Sequence, residues 1–155
     1  MKIAIVYDSV FGNTGKVAEA MAEALRPGNE VMLLTVQDAR SADLSATDLL
    51  IVGSPTRGFR PTPMISDYVE GLTARSGKAA AAFDTRIASE TIHPAPLRWV
   101  VEAGGYAATR IAASLKEHGF TLSGESAGFV VTGTEGPLKE HELERAKTWA
   151  LSLAA

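Results

Sequence analysis

Short apolar runs alternate with amphipathic stretches along this chain, and no other feature limits its folds so strongly. Lys2–Tyr7 (KIAIVY), 30–36 (EVMLLTV), 48–52 (DLLIV) and 78–83 (KAAAAF) are largely continuous apolar segments. Continuity without period-two alternation is the pattern of a strand covered on both faces. The alanines of 78–83 also suit a helix, while its lysine start and FDT ending favour a strand. Between the runs lie helical patterns at 14–25, with Val17, Met21, Ala24 and Leu25 on one face, and at 64–72. A third is marked by Ala108, Ile111, Ala112 and Leu115 and stopped by Gly119. A last one covers 138–153 through Leu143, Ala146, Ala150 and Leu153. A fifth strand is expected over 120–131, interrupted near Gly124. Strands alternating with helices predict an α/β fold, a doubly wound parallel sheet with helices on both faces. Right-handed crossovers leave 2-1-3-4-5 as the common order for five strands. The 155 residues are expected to form a single domain over 1–155.

In that order a switch point falls between strands 1 and 3, where ligands bind at the carboxyl ends of the strands. The two most turn-like loops follow those two strands: SVFGNT at 9–14 and GSPTRGFRPTP at 53–63. SVFGNT opens a helix. A helix N-terminus has unpaired amides and a partial positive charge, so an anion binds there without lysine or arginine. A phosphate monoester is the natural occupant, with Ser9, Asn13 and Thr14 adding side-chain hydrogen bonds. The alternative is that Asn13 or Thr14 only caps the helix. Neither GxxxxGK[ST] nor GxGxxG is present.

Composition excludes several classes. The chain has no cysteine, so disulfides, thiolate metal sites and cysteine nucleophiles are ruled out. A formal net charge of −3 offers no broad basic field for nucleic acid. The apolar run in MKIAIVYDS is too short for a signal peptide or a membrane span, so a cytoplasmic location is expected. His118 and His141 have no second ligand at metal spacing. GxSxG is missing.

The motifs together resemble the flavodoxin family. SVFGNT is similar to that family's S/T-x-T-G-x-T phosphate loop, with Phe11 at the middle hydroxyl position. GSPTRG resembles its first flavin-flanking loop, FDTR the start of its second, and the ending GFVVTGTEGPLKEHELERAKTWALSL its last strand, loop and helix. The length matches the short-chain type, and the resemblance covers nearly the whole chain. It implies FMN as cofactor. Ser9, Phe11, Gly12, Asn13 and Thr14 would hold the phosphate, Val10 through its backbone alone. Pro55, Thr56, Arg57 and Gly58 would line one side of the flavin, with Phe59 either stacking on it or packing elsewhere. Asp84, Thr85 and Arg86 would line the other side, and Ile87, His93 or Trp99 would cover the ring where the family has an aromatic.

Arg57, Arg60 and Arg86 in these loops stand against Asp84 alone, which implies a less negative second-electron potential than in strongly acidic flavodoxins; the alternative is that these arginines point to solvent or pair with surface acids. The resemblance implies an electron carrier that docks redox partner proteins transiently, as a monomer or weak dimer, without nucleic acid or membrane. The alternative is an FMN-dependent NAD(P)H or quinone oxidoreductase. A phosphorylated receiver domain shares the strand order, but here strand 3 ends in Gly53-Ser54 and offers no phosphoacceptor aspartate.

Overall fold

The apolar runs pair as parallel strands. The computed structural model describes residues 1–73, 77–87 and 106–155. β1 (Lys2–Tyr7), β2 (Glu30–Thr35), β3 (Leu49–Pro55) and β4 (Ala79–Ile87) lie in the order β2-β1-β3-β4. The fifth position is shared by two pieces. β5 (Thr121–Leu122) pairs with Ala79 and Ala80 of β4, and β6 (Ala127–Val131) pairs with β4 from Phe83 to Ile87. Among the described residues the helices are α1 (Asn13–Leu25), α2 (Val36–Ala39), α3 (Pro63–Glu70), α4 (Ala107–Glu117) and α5 (Glu142–Leu153).

Strand alternation sorts the core into two layers. Ile3, Ile5, Leu49, Ile51, Ala81 and Phe83 face α1 and α5. Ala4, Val6, Leu50, Val52, Ala80 and Ala82 face α2, α3 and α4. Covered on both faces, β1, β3 and β4 need no polar side, which is why their runs read as continuous. Each buried Ile, Leu or Phe contributes roughly 1.5–3 kcal/mol relative to exposure. Phe83 sits at the centre of the first layer, edge-to-face with Phe129 and Trp149 at 6.2 Å from each.

Several boundaries differ from those read off the sequence. β3 continues through Gly53, Ser54 and Pro55, and β4 through Asp84, Thr85, Arg86 and Ile87, because Gly53↔Phe83, Ser54↔Asp84 and Pro55↔Thr85 stay in register. Hydrophobicity stops earlier than the ladder does. Val36 opens α2 rather than ending β2, since the Thr35 hydroxyl accepts from the Asp38 amide and caps the turn. α5 starts at Glu142 because Leu138 bridges Val131 and His141 has a left-handed backbone, φ 71°.

The charged face of α5 also differs. Leu143 is exposed and Glu142 is buried. The Glu142 carboxylate accepts from the Val130 amide at 2.6 Å and from Arg145 Nε at 2.9 Å. It fastens α5 to the last strand.

Candidate functional site

The loop after β1 closes on itself. Ser9 Oγ accepts from the Gly12 and Gly15 amides at 3.1 and 3.2 Å. The capping hydroxyl is therefore Ser9, beneath the loop. Asn13 and Thr14 are the first helical residues, and their backbone N–H groups have no protein acceptor among the described residues. Their side chains have protein partners. Asn13 Nδ2 donates to the Glu135 carbonyl at 3.0 Å, and the Thr14 and Thr85 hydroxyls bond at 2.8 Å. These side chains tie neighbouring loops together, while the Asn13 and Thr14 main-chain amides, the second N–H of Asn13 Nδ2 and one hydroxyl proton of the Thr14–Thr85 pair stay without a protein acceptor among the described residues. Val10 and Phe11 stand half-exposed at the mouth.

The second wall is delivered by β3. Thr56 N–H donates to the Thr85 carbonyl at 2.9 Å. Arg57 and Arg60 exchange both backbone hydrogen bonds, at 2.8 and 3.1 Å, around Gly58 (φ 56°) and Phe59 (φ 69°). Two positive φ angles make this a type I′ turn. The Phe59 carbonyl accepts from Arg110 Nε at 2.8 Å. A Cβ on Gly58 would meet nothing within 4 Å, so a substitution there is opposed by the backbone alone. Gly58→Ala is expected to cost about 1–2 kcal/mol, read as a lower urea midpoint with unchanged slope.

The third wall is the end of β4. The Asp84 side chain is fully buried and bonded to Arg86 through both oxygens, at 2.7 and 2.8 Å. It also accepts from the Ala108 amide at 2.9 Å, and the Thr56 hydroxyl bonds to it as well. Burial pushes the Asp84 carboxyl above its ordinary value, against the pull of Arg86. Arg86 therefore comes to this wall already paired, not as a free cation.

The walls enclose a cavity of about 260 Å³ at the carboxyl ends of β1, β3, β4 and β6. Of the residues expected there, Val10, Phe11, Asn13, Thr14, Pro55, Thr56, Arg57, Gly58, Thr85 and Arg86 line it. Ser9 and Gly12 do not; they bond to each other within the loop. Phe59 does not line it either. Asp84 does not, because Arg86 covers it. Arg60 lines a different groove, between α3 and α4. Ile87 lines the cavity, as do Val131 and Thr134, which were not anticipated. The VVTGT segment held the only clue to the last two, as the end of a strand expected beside strand 4. His93 and Trp99 lie outside the described residues. Among the described residues no three His, Asp or Glu side chains cluster as a metal site, and no helix is long and apolar enough to cross a membrane.

A family model described as a flavodoxin domain matches residues 4–91. The chain belongs to the flavodoxin family. A flavodoxin of Aquifex aeolicus (strain VF5) is 36% identical over an alignment of 91 residues that covers 54% of this chain and 49% of that relative. The chain thus spans about half the length of the curated relative it matches. Among solved structures, a flavodoxin from the domain Archaea superposes with a TM-score of 0.76 at 21% identity, covering 99% of this chain and 96% of that one. Oxidised Flavodoxin 2 from Bacillus cereus gives 0.73 at 25% identity, covering 99% and 98%. Rubredoxin oxygen:oxidoreductase from Desulfovibrio gigas gives 0.71 at 24% identity, with 99% of this chain matching 35% of that one.

Flavodoxin-family proteins bind FMN. The residues of this flavodoxin domain fit that group. Asn13 and Thr14, whose amides have no protein acceptor among the described residues, line the cavity and offer donors for a phosphate, and Phe11, Pro55, Ile87 and Val131 offer apolar surface for a ring system.

Proposed function

We propose that this chain is an FMN-binding electron carrier, a single cytoplasmic domain, monomeric or weakly dimeric, that exchanges electrons with redox partner proteins in brief encounters. The observation that carries the reading is the pair of unpartnered amides at the start of α1, on two residues that line the cavity at the carboxyl ends of the strands. FMN, when bound, supplies the one- and two-electron redox chemistry. The chain's part is to hold and orient it. The Asn13 and Thr14 amides donate to the phosphate, aided by the positive end of α1. Ser9 fixes the loop that presents them, and the Thr14–Thr85 hydroxyl pair keeps α1 against β4. The walls at 55–58 and 85–87 take the ring. Val10 and Phe11 give the mouth an apolar rim suited to weak docking.

The test is a titration of apoprotein with FMN and with riboflavin. Charge-assisted bonds to the phosphate are worth about 1.5–3 kcal/mol each, so FMN should bind at least tenfold to a hundredfold more tightly. Because it keeps the main-chain donors, Asn13→Ala should retain most of that preference. Equal affinity for the two ligands would overturn the phosphate assignment. Sustained NAD(P)H oxidation by the FMN-loaded protein with a quinone would favour the reductase reading over the carrier.

A further inference from the structure

Arg86 is held more firmly than a residue needs to be merely to line a cavity. Its Nε and Nη2 donate to the two oxygens of Asp84 at 2.7 and 2.8 Å. The Tyr106 ring lies against the guanidinium, with Cζ 3.7 Å from the ring centroid. Gly128 of β6 makes room for it, since a Cβ there would stand 2.1 Å from Cζ. Beneath, the Asp84 carboxylate is tied to the Ala108 amide at the start of α4 and to the Thr56 hydroxyl, which itself accepts from the Ala107 amide at 3.0 Å. The guanidinium is thus clamped along one edge and stacked on an aromatic ring. A guanidinium has five N–H donors. Those not used on Asp84 have no protein acceptor among the described residues, and Arg86 lines the cavity.

We propose that Asp84 is a positioning residue for the flavin: it sets Arg86 so that the free edge of the guanidinium donates to an acceptor on the bound ring, and it cancels the charge that Arg86 brings. This rests on the FMN reading above. An unpaired cation beside a flavin favours the reduced anion, whereas one paired at contact distance with a buried carboxylate presents little net charge. The clamp supplies a directed hydrogen bond without the electrostatic shift. Asp84→Asn keeps the shape and an acceptor for Ala108 but removes the countercharge.

The experiment uses FMN-loaded wild type, Asp84→Asn and the double variant Asp84→Asn/Arg86→Gln. Both one-electron potentials are measured spectroelectrochemically, and oxidised FMN affinity by fluorescence titration. In Asp84→Asn the fully reduced cofactor should be favoured about tenfold over the state one electron above it, which raises the second couple by about 59 mV. The double variant, with neither charge, should return to within about twofold of wild type. Its visible FMN bands should still differ from wild type, because the shorter glutamine does not replace the donated edge. An unmoved second couple in Asp84→Asn overturns the proposal, and so does a rise that persists in the double variant. A role confined to folding lowers melting temperature and oxidised-FMN affinity with the couple in place, which also overturns it. Should Asp84→Asn fail to fold, identical FMN bands in the double variant and wild type decide against the clamp. Wild type that binds no FMN removes the flavin reading itself, a separate result from any of these.

Discussion

A Gly53→Ala chain should melt about 6–12 °C below wild type, the equivalent of about 3 kcal/mol for a domain of this size. Gly53 lies within β3, paired with Phe83 on β4. A Cβ on it would stand 2.0 Å from the Phe83 Cζ and 2.3 Å from Cε1. The ring has nowhere to go. It is fully buried and wedged edge-to-face between Phe129 and Trp149, which are themselves 6.1 Å apart. A flexible surface side chain would swing aside at small cost, but a ring in a close-packed layer forces its neighbours or the strand to shift. Phe83→Leu in the same chain should relieve part of the clash, giving a coupling of at least about 1 kcal/mol in a double-mutant cycle. Thermal melts of the four proteins check this. A Gly53→Ala chain that melts with wild type would mean that the ring does not pack over the strand backbone.

Glu142→Ala should cost about 3 kcal/mol at neutral pH, the lower end for breaking a buried pair because the Arg145 side chain is itself half-exposed. The carboxylate binds Val130 N–H at 2.6 Å and Arg145 Nη2 at 2.7 Å, and Arg145 continues to the Gly128 carbonyl and over the Phe129 ring at 4.7 Å. Removing it orphans a strand amide and frees the arginine that covers the core aromatic. Burial alone would raise this carboxyl, but Arg145 and the Val130 amide together hold it below the ordinary glutamate value. A carboxyl lowered on folding stabilises the native state above its unfolded pKa, and that share is lost as pH falls through the folded one. Wild type and Glu142→Gln should therefore differ most at neutral pH, and the gap should close as pH falls below roughly 4.3. Urea midpoints at neutral and acidic pH measure it. A gap that widens on acidification would contradict the assignment.

The arginine-rich rim expected at the flavin is smaller in the folded chain. Arg60 belongs to another groove and Arg86 is paired with Asp84, which leaves Arg57 as the unpaired cation lining the cavity among the described residues. Any rise in the second-electron potential from an unpaired charge therefore rests on Arg57. Arg57→Gln should lower that potential, and a spectroelectrochemical titration reads the change.

Most of the architecture was legible in the primary structure because parallel strands covered on both faces need unbroken apolar runs, and helices on those faces need a 3.6-residue stripe. Both are local properties. The break in the fifth strand near Gly124 was readable for the same reason, and the strand order followed from the handedness of crossovers rather than from any local pattern. The strand ends were not. Gly53, Ser54, Asp84 and Thr85 are polar or small, and only pairing with the adjacent strand makes them part of the sheet. The site was legible as two loops, SVFGNT and GSPTRG, since turn chemistry is also local. Val131 and Thr134 reach the cavity only because β6 lies beside β4.

The order of residues by itself determined the α/β alternation, the helix start after a small hydroxylated loop and the placing of that loop at the carboxyl end of a strand. It did so because backbone preference and side-chain periodicity act within a few neighbours. Tertiary structure alone decided that Ser9 caps the loop, that the Asn13 and Thr14 side chains bond to distant partners and that Asp84 disappears beneath Arg86. Each of those outcomes depends on a contact between groups far apart in the chain, and burial changes the worth of a charge or a hydrogen bond only once the two have met.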